Sequence, residues 1–193
     1  MKELTITIPV KSFKKFDNPY DSKAMAAKYQ FFVNVADIPS EWLEWLSVNP
    51  REQKLTTDVA RDIAKSLRSS KKNFHVLNRG ILLSAEEVTF DNKEKMATIK
   101  FLNPNMHGIV DGGHTYRQIL KYQEEINPIY EKYVQVEVIT SFDSIEELAE
   151  ARNNSVAVDD KSIEELRGTF DSIKRIIENQ RIQGEKYFDR ISF

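Results

Sequence analysis

The chain has 193 residues, of which 40% are hydrophobic and 30% are charged, a balance typical of a soluble globular protein. Its 28 lysines and arginines nearly match its 30 aspartates and glutamates, so the formal net charge of −2 gives no overall attraction to nucleic acid. The absence of cysteine excludes disulfides, cysteine-ligated zinc and thiolate catalysis. No apolar stretch approaches the roughly 20 residues that cross a bilayer. The amino terminus also lacks the apolar segment of a signal peptide, so we expect a cytoplasmic protein without a membrane partner.

The amino-terminal part of the chain predicts two strands separated by a loop. Apolar and polar residues alternate over residues 4–10, which indicates a half-buried first strand. The polar residues 11–28, with a turn signal at Asn18-Pro19, predict a loop. A second strand is predicted over residues 31–35.

Two helices are predicted next. Ser40 is expected to cap a short helix that runs through Leu46, with Trp42 and Trp45 spaced to enter the core. A clearer amphipathic helix covers residues 57–67, capped by Thr56 or Thr57, and its predicted core face consists of Val59, Ile63 and Leu67, with Ala60 and Ala64 beside them. Cations are favoured at a helix carboxyl end, which accounts for Lys65, Arg68, Lys71 and Lys72.

The remaining elements mix strands and helices. Strands are predicted over residues 74–77, 81–85, 96–102 and 133–139, and Ile109-Val110 ends another strand. Ser144 is expected to cap a helix over residues 145–152, because Glu147 completes a capping box. A long helix is predicted from Ser162 to about Gln183.

The most informative segment is the turn that follows Ile109-Val110. It contains Asp111, Gly112, Gly113 and His114 and leads into a helix-compatible segment. Glycines there allow a close backbone approach or a positive φ, and the first turn of a helix suits an anion such as phosphate. Asp111 is suited to a cation or a hydroxyl, and His114 and Arg117 can donate hydrogen bonds. The same residues also fit an ordinary turn in which Asp111 or Thr115 caps the helix, and the residues alone leave both interpretations open.

Three further polar motifs border apolar elements, and each is compatible with a turn or a helix end. These motifs contain arginines and asparagines, and the Gly-Gly turn contains a histidine and an aspartate. Together these side chains can converge on a polyanionic ligand. His75 is expected in the core or at a strand edge, and His107 is expected to be exposed. A zinc site is not indicated, because no histidine pair has metal-ligand spacing. The motifs are Asn49-Pro50-Arg51, Asn78-Arg79-Gly80 and Arg152-Asn153-Asn154-Ser155.

In this order the motifs resemble the ParB/sulfiredoxin superfamily, and within it most closely the abortive-infection phage-resistance (AIPR) and DGQHR-domain proteins. The signature Asp/Asn-Gly-Gln-His/Gln-Arg/Thr corresponds to residues 111–115, with Gly113 in place of the glutamine and Thr115 in place of the arginine. Asn153-Asn154 falls where ParB proteins carry Glu-Asn-x-x-Arg. The resemblance implies an α+β fold, a ParB-like mixed β-sheet domain with packed helices over residues 1–158, and a helical extension over residues 159–193.

The resemblance also implies one pocket for a nucleoside triphosphate with Mg²⁺, in a protein of phage defence or of DNA transactions. Asp111 would hold the metal or orient water, and Asp111 and His114 are the predicted catalytic residues. Whether the domain is an enzyme is left open between a metal-dependent NTPase and a nuclease-associated domain. The predicted ligand-binding residues are Arg51, Asn78, Arg79, Gly112, Gly113, Thr115, Arg117, Asn153 and Asn154.

A second hypothesis is a non-catalytic module on the same fold that binds DNA or another protein. Its DNA-binding surface would be the basic residues Lys65, Arg68, Lys71 and Lys72. The long carboxyl-terminal helix would then join two copies in a homodimer. A third hypothesis is a vestigial pocket in a domain that only scaffolds a partner.

Overall fold

The structure is a computed structural model that describes residues 3–20, 27–49, 55–126, 131–142, 144–153, 181–182 and 185–186. The chain divides into two compact units, residues 1–154 and residues 155–193. No helix in the described ranges is long and apolar enough to cross a membrane. The first unit is built from strands β1 (Leu4–Pro9), β2 (Lys11–Phe16), β3 (Ala27–Asn34), β4 (Ile81–Ala85), β5 (Glu87–Asp91), β6 (Met96–Phe101), β7 (Gly108–Asp111) and β8 (Tyr133–Thr140), and from helices α1 (Asp58–Arg68), α2 (Phe74–Leu77), α3 (Gly113–Tyr122) and α4 (Ile145–Asn153).

Two sheets share the main hydrophobic core, which confirms the predicted α+β class. The smaller sheet is antiparallel with the order β1-β6-β5. The larger has the order β2-β3-β8-β4-β7, and only its β4–β8 pair is parallel. Strand β6 of the smaller sheet buries alternate residues, as the period of two of a strand requires, whereas all five residues of β4 in the larger sheet are buried. Fully buried side chains of this core include Phe31, Val33, Leu83, Ile99, Phe101, Val134, Val136 and Val138.

A second, smaller core lies under α4. It contains Leu82 of β4 and Val110 of β7 together with Ile145 and Ala149 of the helix. The predicted helix is confirmed and ends at Asn153, one residue later than expected. The five-stranded sheet therefore contributes to two separate hydrophobic clusters.

The predicted loop over residues 11–28 is wrong in its first part, because Lys11–Phe16 forms the edge strand β2. Five of its six residues are exposed, so the strand lacks the apolar alternation that would identify it. Phe13 is the exception and stacks on Phe90 with ring centroids 4.3 Å apart. Lysines on an edge strand oppose pairing with another chain, which fits this position.

The segment after β3 forms a 3-10 helix over Ser40–Trp45. Trp42 and Trp45 are both buried, as predicted. Ser40 does not cap the helix, because Pro39 occupies the cap position and no side chain makes a capping hydrogen bond there. The predicted cap at Ser40 is therefore wrong.

Helix α1 begins as expected and buries the predicted face except for Val59. Thr57 caps it by accepting a hydrogen bond from the amide of Ala60 at 3.2 Å. Ala60 and Leu67 are buried, whereas Val59 is 63% exposed. The prediction that Val59 enters the core is wrong, because the buried stripe of the helix passes beside that residue.

Residues 74–77 were predicted as a strand but form the single-turn helix α2. The Asn73 carbonyl accepts hydrogen bonds from the amides of Val76 and Leu77, which closes the turn. Only Phe74 is buried in this segment, and Val76 and Leu77 are largely exposed. An apolar run too short to show a period does not distinguish a strand from a helical turn.

The prediction that His107 is exposed is also wrong, because its side chain is buried just before β7. Its Nδ1 accepts hydrogen bonds from the amides of Leu102 and Asn103 at 3.0 and 3.3 Å. The imidazole thus satisfies backbone donors where β6 ends.

Most of the helix predicted from Ser162 to Gln183 lies outside the described residues. Its end is wrong, because Arg181–Ile182 forms strand β9, which pairs antiparallel with β10 (Glu185–Lys186). The predicted domain boundary after residue 158 stays a prediction.

Candidate functional site

The antiparallel pairing of β4 with β7 brings two of the polar motifs together. Leu82 lies opposite Asp111, so the start of β4 is beside the end of β7. The Asn78-Arg79-Gly80 segment precedes β4, and the Gly-Gly turn follows β7. The two motifs are about thirty residues apart in the sequence and meet at one edge of the sheet.

Gly112 is required at this junction for two reasons. Its φ of +84° lies in the left-handed region. A Cβ atom at this position would also stand 2.9 Å from Ile81 Cα, with the Gly80 carbonyl oxygen closer still. Gly80 is similar, with a φ of +88° and a Cβ position 2.5 Å from the Gln135 carbonyl oxygen.

The turn is not capped by a side chain in the way that its simplest interpretation predicts. Gly112 is the residue before α3, and no side chain makes a capping hydrogen bond. Asp111 Oδ1 instead accepts from the Gly112 amide at 2.7 Å. Neither Asp111 nor Thr115 therefore acts as the helix cap.

Asn78 holds the two motifs together. Its Oδ1 accepts from the Gly80 amide at 2.8 Å, which closes the turn before β4. Its Nδ2 also donates to Thr115 Oγ1 at 3.0 Å, on the first turn of α3. The Thr115 side chain is buried, so this contact is internal to the fold.

Helix α3 presents its amino-terminal end at the same place. Its first helical hydrogen bond runs from the Tyr116 amide to the Gly112 carbonyl, so the amides of residues 113–115 precede the helical ladder. Such a helix end carries partial positive charge. Tyr116 anchors the helix by donating its hydroxyl to the Pro39 carbonyl at 2.9 Å. Burial raises the pKa of this phenol, which keeps it protonated as a donor.

A pocket of about 490 Å³ opens at this junction. Its size falls within the range of small-molecule sites. Three of the four predicted motifs contribute to its walls. The Asn49-Pro50-Arg51 motif does so through Asn49. The lining residues from these motifs are Asn49, Asn78, Arg79, Gly80, Asp111, Gly112, Gly113, His114 and Thr115.

The other predicted site residues lie elsewhere or are not described. Arg117 is on α3 but does not line the pocket. Asn153 ends α4, and its side chain lies outside the described part of the structure, as do Arg51 and Asn154. Arg152 instead donates to Glu137 at 2.5 Å, and Lys28 reaches the same carboxylate at 3.0 Å.

Sequence reasoning missed the wall formed by α1 and α2. Helix α1 contributes Val59, Asp62, Ile63 and Ser66, and α2 contributes Phe74 and Leu77. Asp62 and Ile63 lie three and four residues after Val59, and Ser66 lies four and three residues after them. The four residues therefore lie along one side of α1. That periodicity is visible in the sequence, but it indicates only a shared face and not what the face meets.

The charges of the pocket are mixed. Among its described lining residues, the carboxylates of Asp62 and Asp111 stand against the guanidinium of Arg79 and the imidazole of His114. No group of three or more potential metal ligands occurs in the described ranges. A cation bound by Asp111 would therefore need further oxygen ligands from water or from the bound molecule.

Comparisons with known proteins identify the family. No curated protein and no solved structure matches the chain. A family model described as AIPR protein matches residues 46–192, and every lining residue of the pocket falls within that span. The chain belongs to the AIPR family.

Proposed function

We propose that this pocket binds a nucleotide, in a protein of phage defence. Membership of the AIPR family, whose name stands for abortive infection phage resistance, supports the phage-defence role. One observation carries the nucleotide proposal: three separate polar motifs line a pocket of about 490 Å³ at the amino-terminal end of a ten-residue helix. A ParB-like origin of the fold remains part of the same proposal.

The phosphates would lie against the first turn of α3. Backbone amides at a helix start bind anions well, because they combine directed donors with the positive end of the helix dipole. Arg79 and His114 line the same pocket and would add side-chain donors to the phosphates.

A triphosphate would enter this pocket together with a divalent cation. Two carboxylates line the described walls against one guanidinium, so a bare polyanion would meet repulsion. Mg²⁺ is commonly held by one or two carboxylates together with substrate phosphates. Asp111 would take this role, since it lines the pocket and only one of its oxygens accepts from the Gly112 amide.

A thermal-shift panel of ribonucleoside and deoxyribonucleoside triphosphates, with and without Mg²⁺, tests the proposal. A nucleotide at about 100 times its dissociation constant adds roughly 2.7 kcal/mol of stability, which raises the melting temperature visibly. We expect a Mg²⁺-dependent shift that is lost in the Asp111→Ala and Arg79→Ala variants. Phosphate release in the same samples shows whether hydrolysis follows binding.

Arg117→Ala is the matched control, because Arg117 lies on α3 near the pocket but is not among the residues that line it. It removes the same charge as Arg79→Ala and should leave the shift unchanged. No shift with any nucleotide, in protein that melts cooperatively, would overturn the proposal.

DNA binding through basic residues near the end of α1 is the second candidate. Lys65, Lys71 and Lys72 are exposed, and in the described ranges none of them forms an ion pair with a carboxylate. Arg68, by contrast, lies 4.0 Å from Glu125. DNA affinity that falls steeply between two salt concentrations, without nucleotide, would favour this candidate.

A further inference from the structure

Two exposed apolar side chains border the pocket. Val59 of α1 is 63% exposed and Leu77 of α2 is 67% exposed, and both line the pocket. Covering a large apolar side chain with another apolar surface is favourable, by roughly 25 cal/mol per Å² of surface removed from water. A flat aromatic ring that enters this side of the pocket would provide such a cover.

Asp62 lies one helical turn after Val59 and lines the same wall. Its neighbour in sequence, Arg61, is engaged with Asp58. Within the described ranges, Asp62 itself has no ion pair and no side-chain hydrogen bond. A carboxylate only accepts hydrogen bonds when it is ionised, so its natural complement is a pair of adjacent N–H donors.

We infer that the α1–α2 side of the pocket binds the base of the nucleotide and that Asp62 selects guanine. This inference rests on the proposed nucleotide binding. Guanine carries N1–H and N2–H₂ side by side on its Watson–Crick edge, and a carboxylate can accept from both. Val59 and Leu77 would cover the faces of the ring while Asp62 contacts its edge.

The other common bases do not match a carboxylate in this way. Adenine and cytosine each place one amino donor beside a ring nitrogen acceptor, which would face the second carboxylate oxygen. Uracil and thymine flank their single N–H with two carbonyl oxygens. Unpaired acceptors that face one another disfavour these bases, so the selection includes repulsion as well as attraction.

Affinities of the full chain for guanosine, inosine, adenosine, cytidine, uridine and xanthosine triphosphates test the inference by calorimetry. We expect guanosine triphosphate to bind at least about tenfold more tightly than the others, with inosine weakened because it lacks the N2 amino group. Asp62→Asn should reverse the order of guanine and xanthine. The asparagine amide can donate to the O2 of xanthine, whereas it would face the N2 amino group of guanine.

Asp58→Asn is the matched control, because it removes the same charge from α1 at a residue that does not line the pocket. It should leave the order of affinities unchanged. Binding without preference among bases, or an unchanged order in Asp62→Asn, would overturn the inference while the nucleotide proposal stands. Deoxyguanosine triphosphate separates a contact with the sugar: if Asp62→Asn weakened guanosine triphosphate but not the deoxynucleotide, Asp62 would contact the sugar and the inference would be overturned too. No binding of any nucleotide would overturn both.

Discussion

Single side chains satisfy backbone groups at the points where this fold changes direction. His107 provides the clearest case, because its Nδ1 accepts from two successive amides after β6. Its Nε2 lies 3.7 Å from Glu86. Burial lowers the pKa of His107, and the nearby carboxylate of Glu86 opposes that shift only in part. The neutral ring is therefore the form that the folded state prefers.

The buried His107 makes stability depend on pH. In the unfolded chain a histidine takes up a proton near pH 6.5, whereas in the folded protein it does so only at lower pH. Stability is therefore full above about pH 6.5 and falls as the pH drops toward the folded pKa, by at most about 1.4 kcal/mol per pH unit. Urea unfolding of the wild type and of His107→Asn, at pH values from about 7.5 to about 5.5, measures this slope. The asparagine keeps an acceptor but cannot titrate, so an equally steep slope in the variant would contradict the assignment.

The elements around the site share the main hydrophobic core and are also joined by hydrogen bonds from side chains. The turn before β4 and the first turn of α3 are connected through Asn78 and Thr115. At the other side of α3, Tyr116 reaches the 3-10 helix through the Pro39 carbonyl. Lys132, at the start of β8, is buried and donates to the Ser66 and Lys71 carbonyls near the end of α1. The bond between Asn78 and Thr115 thus joins two walls of the pocket, and the other bonds fasten α3 and α1 to the rest of the fold.

The link between the turn and α3 predicts a coupling between Asn78 and Thr115. Asn78→Ala leaves the Gly80 amide and the Thr115 hydroxyl without this partner, so we expect a loss of about 1–3 kcal/mol in the free energy of unfolding. Thr115→Val should remove only the part that passes through the hydroxyl. A double-mutant cycle by chemical unfolding should give a coupling energy of roughly 0.5–3 kcal/mol. Strictly additive losses would show that the two side chains act independently.

At the scale of the whole molecule, the first unit contains two hydrophobic clusters. Their members among the described residues lie between Leu4 and Ala149. The second unit, residues 155–193, is compact by itself, and its described residues form a short antiparallel pair. The first unit therefore has what a domain needs to fold alone.

A chain shortened to residues 1–158 should melt cooperatively at nearly the same temperature as the full chain. The physical reason is that the shortened chain keeps both hydrophobic clusters as the described residues define them. Calorimetry of the two chains measures this, and light scattering of the same samples tests the homodimer predicted through the carboxyl-terminal segment. Loss of the dimer on truncation would support that role. A shortened chain that aggregates or melts without cooperativity would contradict the predicted boundary.

The sequence by itself determined the local features of this protein. Alternation placed β1 and β8, apolar runs between turn signals placed β4 and β6, the capping threonine placed the start of α1, and the order of short motifs indicated the AIPR family. Prediction from the sequence failed at the lysine-rich edge strand β2 and at the single-turn helix α2, where the local pattern does not match the tertiary environment. Strand β2 is held by its pairing with β3, and α2 is closed by hydrogen bonds to the Asn73 carbonyl.

Only the tertiary structure decided which polar motifs share a pocket. The antiparallel pairing of β4 with β7 brings Asn78 to Thr115, and α1 supplies Asp62, whose place in the pocket wall no local pattern indicates. It also decided that Val59 faces the pocket and that His107 is buried. Periodicity specifies the face of an element on which a residue lies, but strand pairing and helix packing determine what that face contacts.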